Sequence, residues 1–132
     1  MSVPGPQGYA LNRTRNAYLA THLHIAATHW TRFRGLMGAD AKTFPAGNGL
    51  WIVPCHGVHT LAMRFPIDVV YLNGDQIVVH MEENLKPWRV AAVRMRATSV
   101  LELPEQTLRS TQTAIGDEIE INLGPAAEAA QA

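Results

Sequence analysis

The clearest alternation in the chain runs from Ala17 to Ile25, where Ala17, Leu19, Thr21, Leu23 and Ile25 share one side and His22 and His24 fall on the other. A period of two with one mostly apolar side predicts a half-buried strand. Short apolar runs from Gly49 to Val53, stopped by Pro54, and from Ile67 to Leu72, rich in β-branched and aromatic side chains, predict two more. Asn73, Gly74 and Asp75 form a turn whose positive φ suits Asn and Gly, and the apolar pattern resumes over Gln76 to Met81, so these segments are expected to pair as a hairpin. Ser99 to Leu103, ended by Pro104, and Glu118 to Leu123, with Ile119, Ile121 and Leu123 on one face, complete the strands. Asn84 to Trp88 contains Pro87 and is not expected to join a ladder.

One segment has helical spacing. Thr28 can cap a helix from His29 to Met37, with Trp30, Phe33, Leu36 and Met37 as its apolar stripe and Gly38 as a left-handed stop. Ala39 to Asn48 reads as a loop. Several short strands, one helix and frequent turn signals predict a mainly β fold, a β-rich α+β domain whose antiparallel sheet curls into a small barrel or sandwich with one short helix near residues 29–37. Pro4, Gly5, Pro6 and Gly8 crowd the start, and Gly124-Pro125 precedes an alanine-rich end. The expected division is a flexible segment over 1–14, one folded domain over 15–123 and a flexible tail over 124–132.

Composition narrows the function classes. A chain of 132 residues suits one core, and 47% apolar with 17% charged residues is a globular balance. Eleven basic residues against eleven acidic ones leave a formal charge of zero, so neither a nucleic-acid nor a membrane partner is expected. The single cysteine, Cys55, cannot close an internal disulfide, and neither a leader-like apolar run nor a stretch of ~18 apolar residues is present. The expectation is a soluble cytoplasmic domain.

The densest chemistry lies between Pro54 and Asp68, which gathers Cys55, His56, His59, Met63 and Asp68. Thiolate and imidazole suit zinc or copper, and Met63 would favour cuprous copper. In an extended chain, however, Cys55 and His59 stand ~13 Å apart at ~3.3 Å per residue, so only a turn around Gly57 would let them share an ion. A full ligand set would also need His22, His24 or His80; no metal and no other cofactor is expected. Cys55 with His59 as its base is a second possibility, against a structural thiol and hydrogen-bonded histidines.

Asp68 interrupts a strand that is apolar on both faces, so its carboxylate needs a cation or several hydrogen-bond donors, with Arg34, Arg64 and Arg89 as candidates. Two roles follow, a tether between strand and helix or an acid or base in a cleft. Trp88 beside Arg89 is either a stacked ligand platform or a Pro-Trp corner packed on the barrel. Arg89, Arg94 and Arg96 form a small basic cluster that could touch phosphate or nucleic acid, but with Glu82, Glu83 and Glu102 near in sequence they read as a solvated mixed face.

The motifs RGLMG (34–38), GLW (49–51), PCHGVHTLAMRFPIDVVYL (54–72), ENLKPWR (83–89), VLELP (100–104) and GD (116–117) resemble, in order, a bacterial and archaeal family catalogued as a domain of unknown function, number 192. The resemblance implies one small β-rich domain and no established reaction. Branches of that family share the pattern matching Gly35, Leu36, Met37, Met63 and Asp68, while Cys55 and His59 belong to the branch this chain is similar to. That argues against an essential metal at Cys55 and His59. The family usually has a glycine soon after the VLELP stretch, where this chain has Glu105 and Gln106.

The functional expectation is a binding module whose pocket, lined by Met37, His59, Met63, Asp68 and Trp88, holds a small polar molecule or a peptide. The alternatives are a small hydrolase or transferase built on Cys55, His59 and Asp68, and a metal carrier.

Overall fold

The computed structural model describes residues 8–28 and 36–124. Seven strands form one sheet: β1 Gly8–Asn12, β2 Ala17–Ala26, β3 Asn48–Ile52, β4 Ile67–Leu72, β5 Val78–Leu85, β6 Ser99–Pro104 and β7 Ile119–Asn122. Their spatial order is β5-β4-β6-β3-β2-β1-β7. Every neighbouring pair is antiparallel except β2 and β3, which run parallel through the pairing of Leu23 with Gly49 and Ile25 with Trp51. The sheet curls into a half-barrel. Its two edge strands meet at one end, where Ile77 bridges Glu118 and the Ile119 amide donates to the Gln76 carbonyl at 2.9 Å.

A short helix, α1 (Thr107–Thr111), follows β6, in a place the hydrophobic pattern left unassigned. The helix expected over 29–37 falls mostly on residues 29–35, which lie outside the described residues. At its expected end, Gly38 does take a left-handed φ of +72°, and its amide donates to the Ala62 carbonyl at 3.0 Å.

The folded body starts earlier than position 15. The strand Gly8–Asn12 is paired on both sides, to β2 and to β7. Five residues with alternating small and apolar side chains are too short to signal a strand by period, and the nearby glycine and prolines point the other way. Their partners β2 and β7 bring them into the sheet.

The hairpin of β4 and β5 forms, but its turn is built differently from the expectation. Positive φ falls on Gln76, at +62°, while Asn73 works through its side chain, whose Oδ1 accepts the amides of Asp75 and Ile77 at 3.0 Å each. A left-handed residue closing a three-residue loop adds the twist an antiparallel pair needs. β5 also runs on to Leu85, past the Met81 limit set by the pattern.

Alternate residues of the central strands serve two cores. Val70, Leu72, Leu101 and Leu103 join Ala10, Leu19, Leu23, Leu108 and Ile119 inside the curl. Ile67, Val69, Tyr71 and Val100 face the other way and are covered by Phe44, Met63, Phe65, Ala91 and Ala97 from the long connections. All six residues of β4 are buried, as a strand packed on both faces must be. Gly49 lets β2 and β3 close together: a Cβ there would stand 2.8 Å from the Ala20 Cβ.

Candidate functional site

The layer on the outer face of β4 and β6 is a two-segment ribbon made from the residues around Cys55 to Thr60 and Trp88 to Thr98. The Thr60 amide donates to the Arg89 carbonyl at 2.7 Å, Ala91 to Val58 at 2.9 Å, Arg94 to His56 at 2.9 Å and Cys55 to Thr98 at 2.9 Å, so the segments run antiparallel. Gly57 permits the approach, since a Cβ there would meet the Ala92 carbonyl oxygen at 3.0 Å. Buried Thr60 organises one end. Its hydroxyl donates to the Lys86 carbonyl at 2.6 Å and accepts the Arg89 amide at 2.8 Å, and its carbonyl accepts the Trp88 amide at 2.8 Å. These bonds hold Trp88 at a φ of +62° and turn its indole outward.

The ribbon is bolted to the sheet through Ala92. The Tyr71 hydroxyl donates to the Ala92 carbonyl at 2.6 Å, and the Glu82 carboxylate accepts the Ala92 amide at 3.0 Å. Two side chains from the β4–β5 hairpin thus replace a ladder partner for one residue. Burial, with the neighbouring Glu82 carboxylate adding to it, pushes the Tyr71 hydroxyl above its ordinary titration range and keeps it a donor. His80 packs edge-on against the Tyr71 ring at 4.8 Å, with its Nε2 3.7 Å from Glu82.

Above this anchor lies an open groove of about 360 Å³ lined by His56, Gly57, Val58, His59, Val90, Ala91 and Val93. Its lining is mainly apolar and includes Val90 and Val93, 73% and 62% exposed; Trp88 and Met95, on the same segment of chain, are 64% and 74% exposed. Isolated exposed apolar residues need no explanation, but a group on one segment makes this face the candidate interaction surface.

The residues singled out by sequence divide among different places. His59 lines the groove, bridging Val90, and Trp88 stands at the ribbon end. Met63 is buried in the outer core beneath, and Met37 is half-buried. Cys55 packs on that same outer core and its thiol donates to the Gly57 carbonyl at 2.8 Å; the His56 ring meets the Ala97 carbonyl at 2.7 Å through Nδ1. Asp68 belongs to the opposite side of the sheet. It lines a separate recess of about 90 Å³ with Glu83, Asn84, Gln106 and Arg109. Among the described residues, no three His, Cys, Asp or Glu side chains come together as metal ligands would.

Asp68 meets donors rather than a cation within the described residues; Arg34 lies outside them, and Arg64 and Arg89 are exposed. Its Oδ1 accepts the Asn84 amide and its Oδ2 the Leu108 amide, each at 2.9 Å. The first is left over from a bulge, since Ile67 pairs with Leu85 and Val69 with Glu82, leaving Glu83 and Asn84 opposite Asp68 alone. The second is an unpaired amide in the first turn of α1, whose own N-cap residue, Gln106, supplies no side-chain bond.

Three further groups escaped the sequence reading. Glu102 is buried, against the solvated face expected for it; its Oε1 has no partner among the described residues, and burial pushes its carboxyl up to about 8. Its signal was the one that picked out Asp68, a carboxylate inside an apolar strand. Asp117 is buried as well, which by itself would raise its pKa, but hydrogen bonds from Asn12, Arg15 and the Ala114 amide outweigh that and hold it low. Tyr71 and Glu82 were hidden because their shared partner, Ala92, lies in a segment without pattern.

Comparison with known proteins agrees with this fold. The model of the DUF192 family, described as Uncharacterized ACR, COG1430, matches residues 10–121. UPF0127 protein PF1050 of Pyrococcus furiosus is 30% identical over 117 residues, covering 85% of this chain and 97% of its own length. A UPF0127 protein of Thermococcus sibiricus is 28% identical over 115 residues, covering 83% and 72% respectively. Among solved structures, a protein of unknown function from Novosphingobium aromaticivorans aligns with a TM-score of 0.72 at 16% identity, over 86% of this chain and 83% of that one. A Sinorhizobium meliloti protein described as a candidate transcription regulator aligns with a TM-score of 0.69 at 19% identity, over 87% and 92%. Both likenesses concern the fold alone.

Proposed function

The chain belongs to the DUF192 family, whose description names no activity; from the shape and lining of the groove we propose that it is a soluble, cytoplasmic, non-enzymatic binding module that holds a peptide between 56–59 and 90–93. The observation that carries this reading is the exposure of Trp88, Val90, Val93 and Met95 along one rigidly anchored ribbon. Keeping four large apolar side chains in water is unfavourable unless a partner covers them. The anchor at Ala92 and the hub at Thr60 hold the ribbon in shape before any partner arrives, which lowers the ordering cost of binding. A groove with this lining offers few fixed donors for a small polar molecule, whereas apolar side chains of a peptide would fill it.

The separation of Cys55 and Asp68 onto opposite faces of β4 argues against one reaction centre built from Cys55, His59 and Asp68. Within this reading Asp68 is a structural tether and His59 and Val90 line the groove as a bridged pair. The test is selection from a phage-displayed random peptide library by the full-length protein and by a Val90→Asp, Val93→Asp variant. A consensus enriched by the parent and lost in the variant is the expected result. Absence of any enrichment, or the same consensus from both proteins, overturns it.

A further inference from the structure

Resting on that groove as a peptide site, we infer that its partner is an extended acidic segment of another polypeptide, added as a strand along the open side of Val90. The backbone supplies the first argument. His59 and Val90 face each other in a pair flanked by the Thr60-to-Arg89 and Ala91-to-Val58 bonds. In that arrangement the amide and carbonyl of Val90 point away from His59. Neither meets a partner among the described residues, so Val90 offers an open backbone position beside a well-exposed side chain, while the next position along that edge, Ala92, is already taken by Tyr71 and Glu82.

Charge supplies the second argument. From Leu85 to Leu101 the chain carries Lys86, Arg89, Arg94 and Arg96 and no acidic residue, although charges balance over the whole protein. All four cations are exposed. The facing segment from Cys55 to Leu61 has no acid either. Of the acids nearest in sequence, Glu82 is engaged by the Ala92 amide and the Tyr71 hydroxyl under the ribbon, and Glu83 lines the Asp68 recess on the other side of the sheet. A strand alternating acidic and apolar residues would place one set against the arginines and the other in the groove, with its backbone paired to Val90.

The same features fit other occupants less well. Burying Val90 in a bilayer would leave its amide and carbonyl unpaired in hydrocarbon, which a partner strand would not. Val90, Val93 and Met95 offer a nucleic acid no stacking surface, and Trp88 stands alone as an aromatic platform.

The experiment is fluorescence anisotropy of the full-length protein with dye-labelled short peptides alternating Val with Glu, with Ser or with Lys. The Glu peptide is expected to bind at least about tenfold more tightly than the Lys peptide, and an Arg94→Glu, Arg96→Glu variant to invert that order. N-methylation of alternate amides of the Glu peptide is expected to abolish binding. If all three peptides bind alike and Val90→Asp abolishes each, the groove remains a peptide site and the acidic partner is wrong. If N-methylation has no effect, strand addition is wrong. Binding of none of the peptides removes both readings. Tighter binding to phosphatidylserine vesicles or a single-stranded oligonucleotide, or self-association lost in Val90→Asp, overturns the partner proposed.

Discussion

Asp68 and Leu108, forty positions apart, are joined by the Leu108 amide donating to Asp68 Oδ2 at 2.9 Å, while the other carboxylate oxygen takes the Asn84 amide. One buried side chain therefore satisfies two amides that secondary structure leaves over, one from a bulge in β5 and one from the start of α1. It acts as a cap supplied from another strand, and it fastens α1 over the inner core.

Removing it should be costly. Asp68→Ala strands two amides in a buried setting and is expected to destabilise by on the order of 2 to 5 kcal/mol. Asp68→Asn keeps the shape but offers one acceptor oxygen for two donors, so its cost should be intermediate. Thermal and denaturant unfolding of both variants checks this. A parent-like midpoint for Asp68→Ala would sink the tether.

Gln106 holds a left-handed φ of +73° just after the strand ended by Pro104. A side chain in that conformation costs about 1 kcal/mol or more, part of which glycine repays through its freer unfolded state. Gln106→Gly is therefore expected to stabilise the protein by about 0.5 kcal/mol, read as a higher denaturant midpoint at unchanged slope.

Glu102 makes stability fall with rising pH. Its carboxyl keeps its proton in the folded protein up to about 8, while the unfolded chain ionises near the ordinary 4.5. Between those values the folded state binds more protons, so stability declines as pH rises, by up to about 1.4 kcal/mol per unit, and levels off above. Glu102→Gln should flatten that decline. Urea unfolding at a series of pH values from 5 to 9 measures it, and parallel curves for parent and variant would refute it.

The opposite sign holds at Asp117, whose carboxyl is held below its usual range by Asn12, Arg15 and the Ala114 amide. Its contribution is complete above the ordinary carboxylate value and is lost as pH falls through the lowered one. Asp117→Asn is expected to cost on the order of 1 to 3 kcal/mol at neutral pH. Its curve and the parent's should converge in acid, as followed by circular dichroism during acid titration.

Tyr71→Phe removes the bond to the Ala92 carbonyl without changing the ring. Global stability is expected to drop by only about 1 kcal/mol. The ribbon should open more often, freeing the backbone around the already exposed Arg89, Arg94 and Arg96, so limited trypsin digestion is expected to cut there several times faster than in the parent. Equal cleavage rates would mean that other contacts hold the ribbon.

The strands β2, β3, β4, β6 and β7 were legible because their signal is local: alternation in Leu19 to Leu23, unbroken apolar runs in Gly49 to Ile52 and Ile67 to Leu72, prolines at the ends. The need of Asp68 for partners was legible too, since a carboxylate amid apolar neighbours must be compensated wherever it lands. Which partners it found was decided by the bulge at Glu83 and Asn84 and by the placement of α1, both products of strand pairing between distant segments. The ribbon was invisible for a related reason. Cys55 to Thr60 and Trp88 to Thr98 have no period of their own, and they acquire a shape through Thr60 and through the grip of Tyr71 and Glu82 on Ala92. Periodicity records which face of a segment is buried, but hydrogen-bond partners brought together across the fold follow from the closing of the sheet.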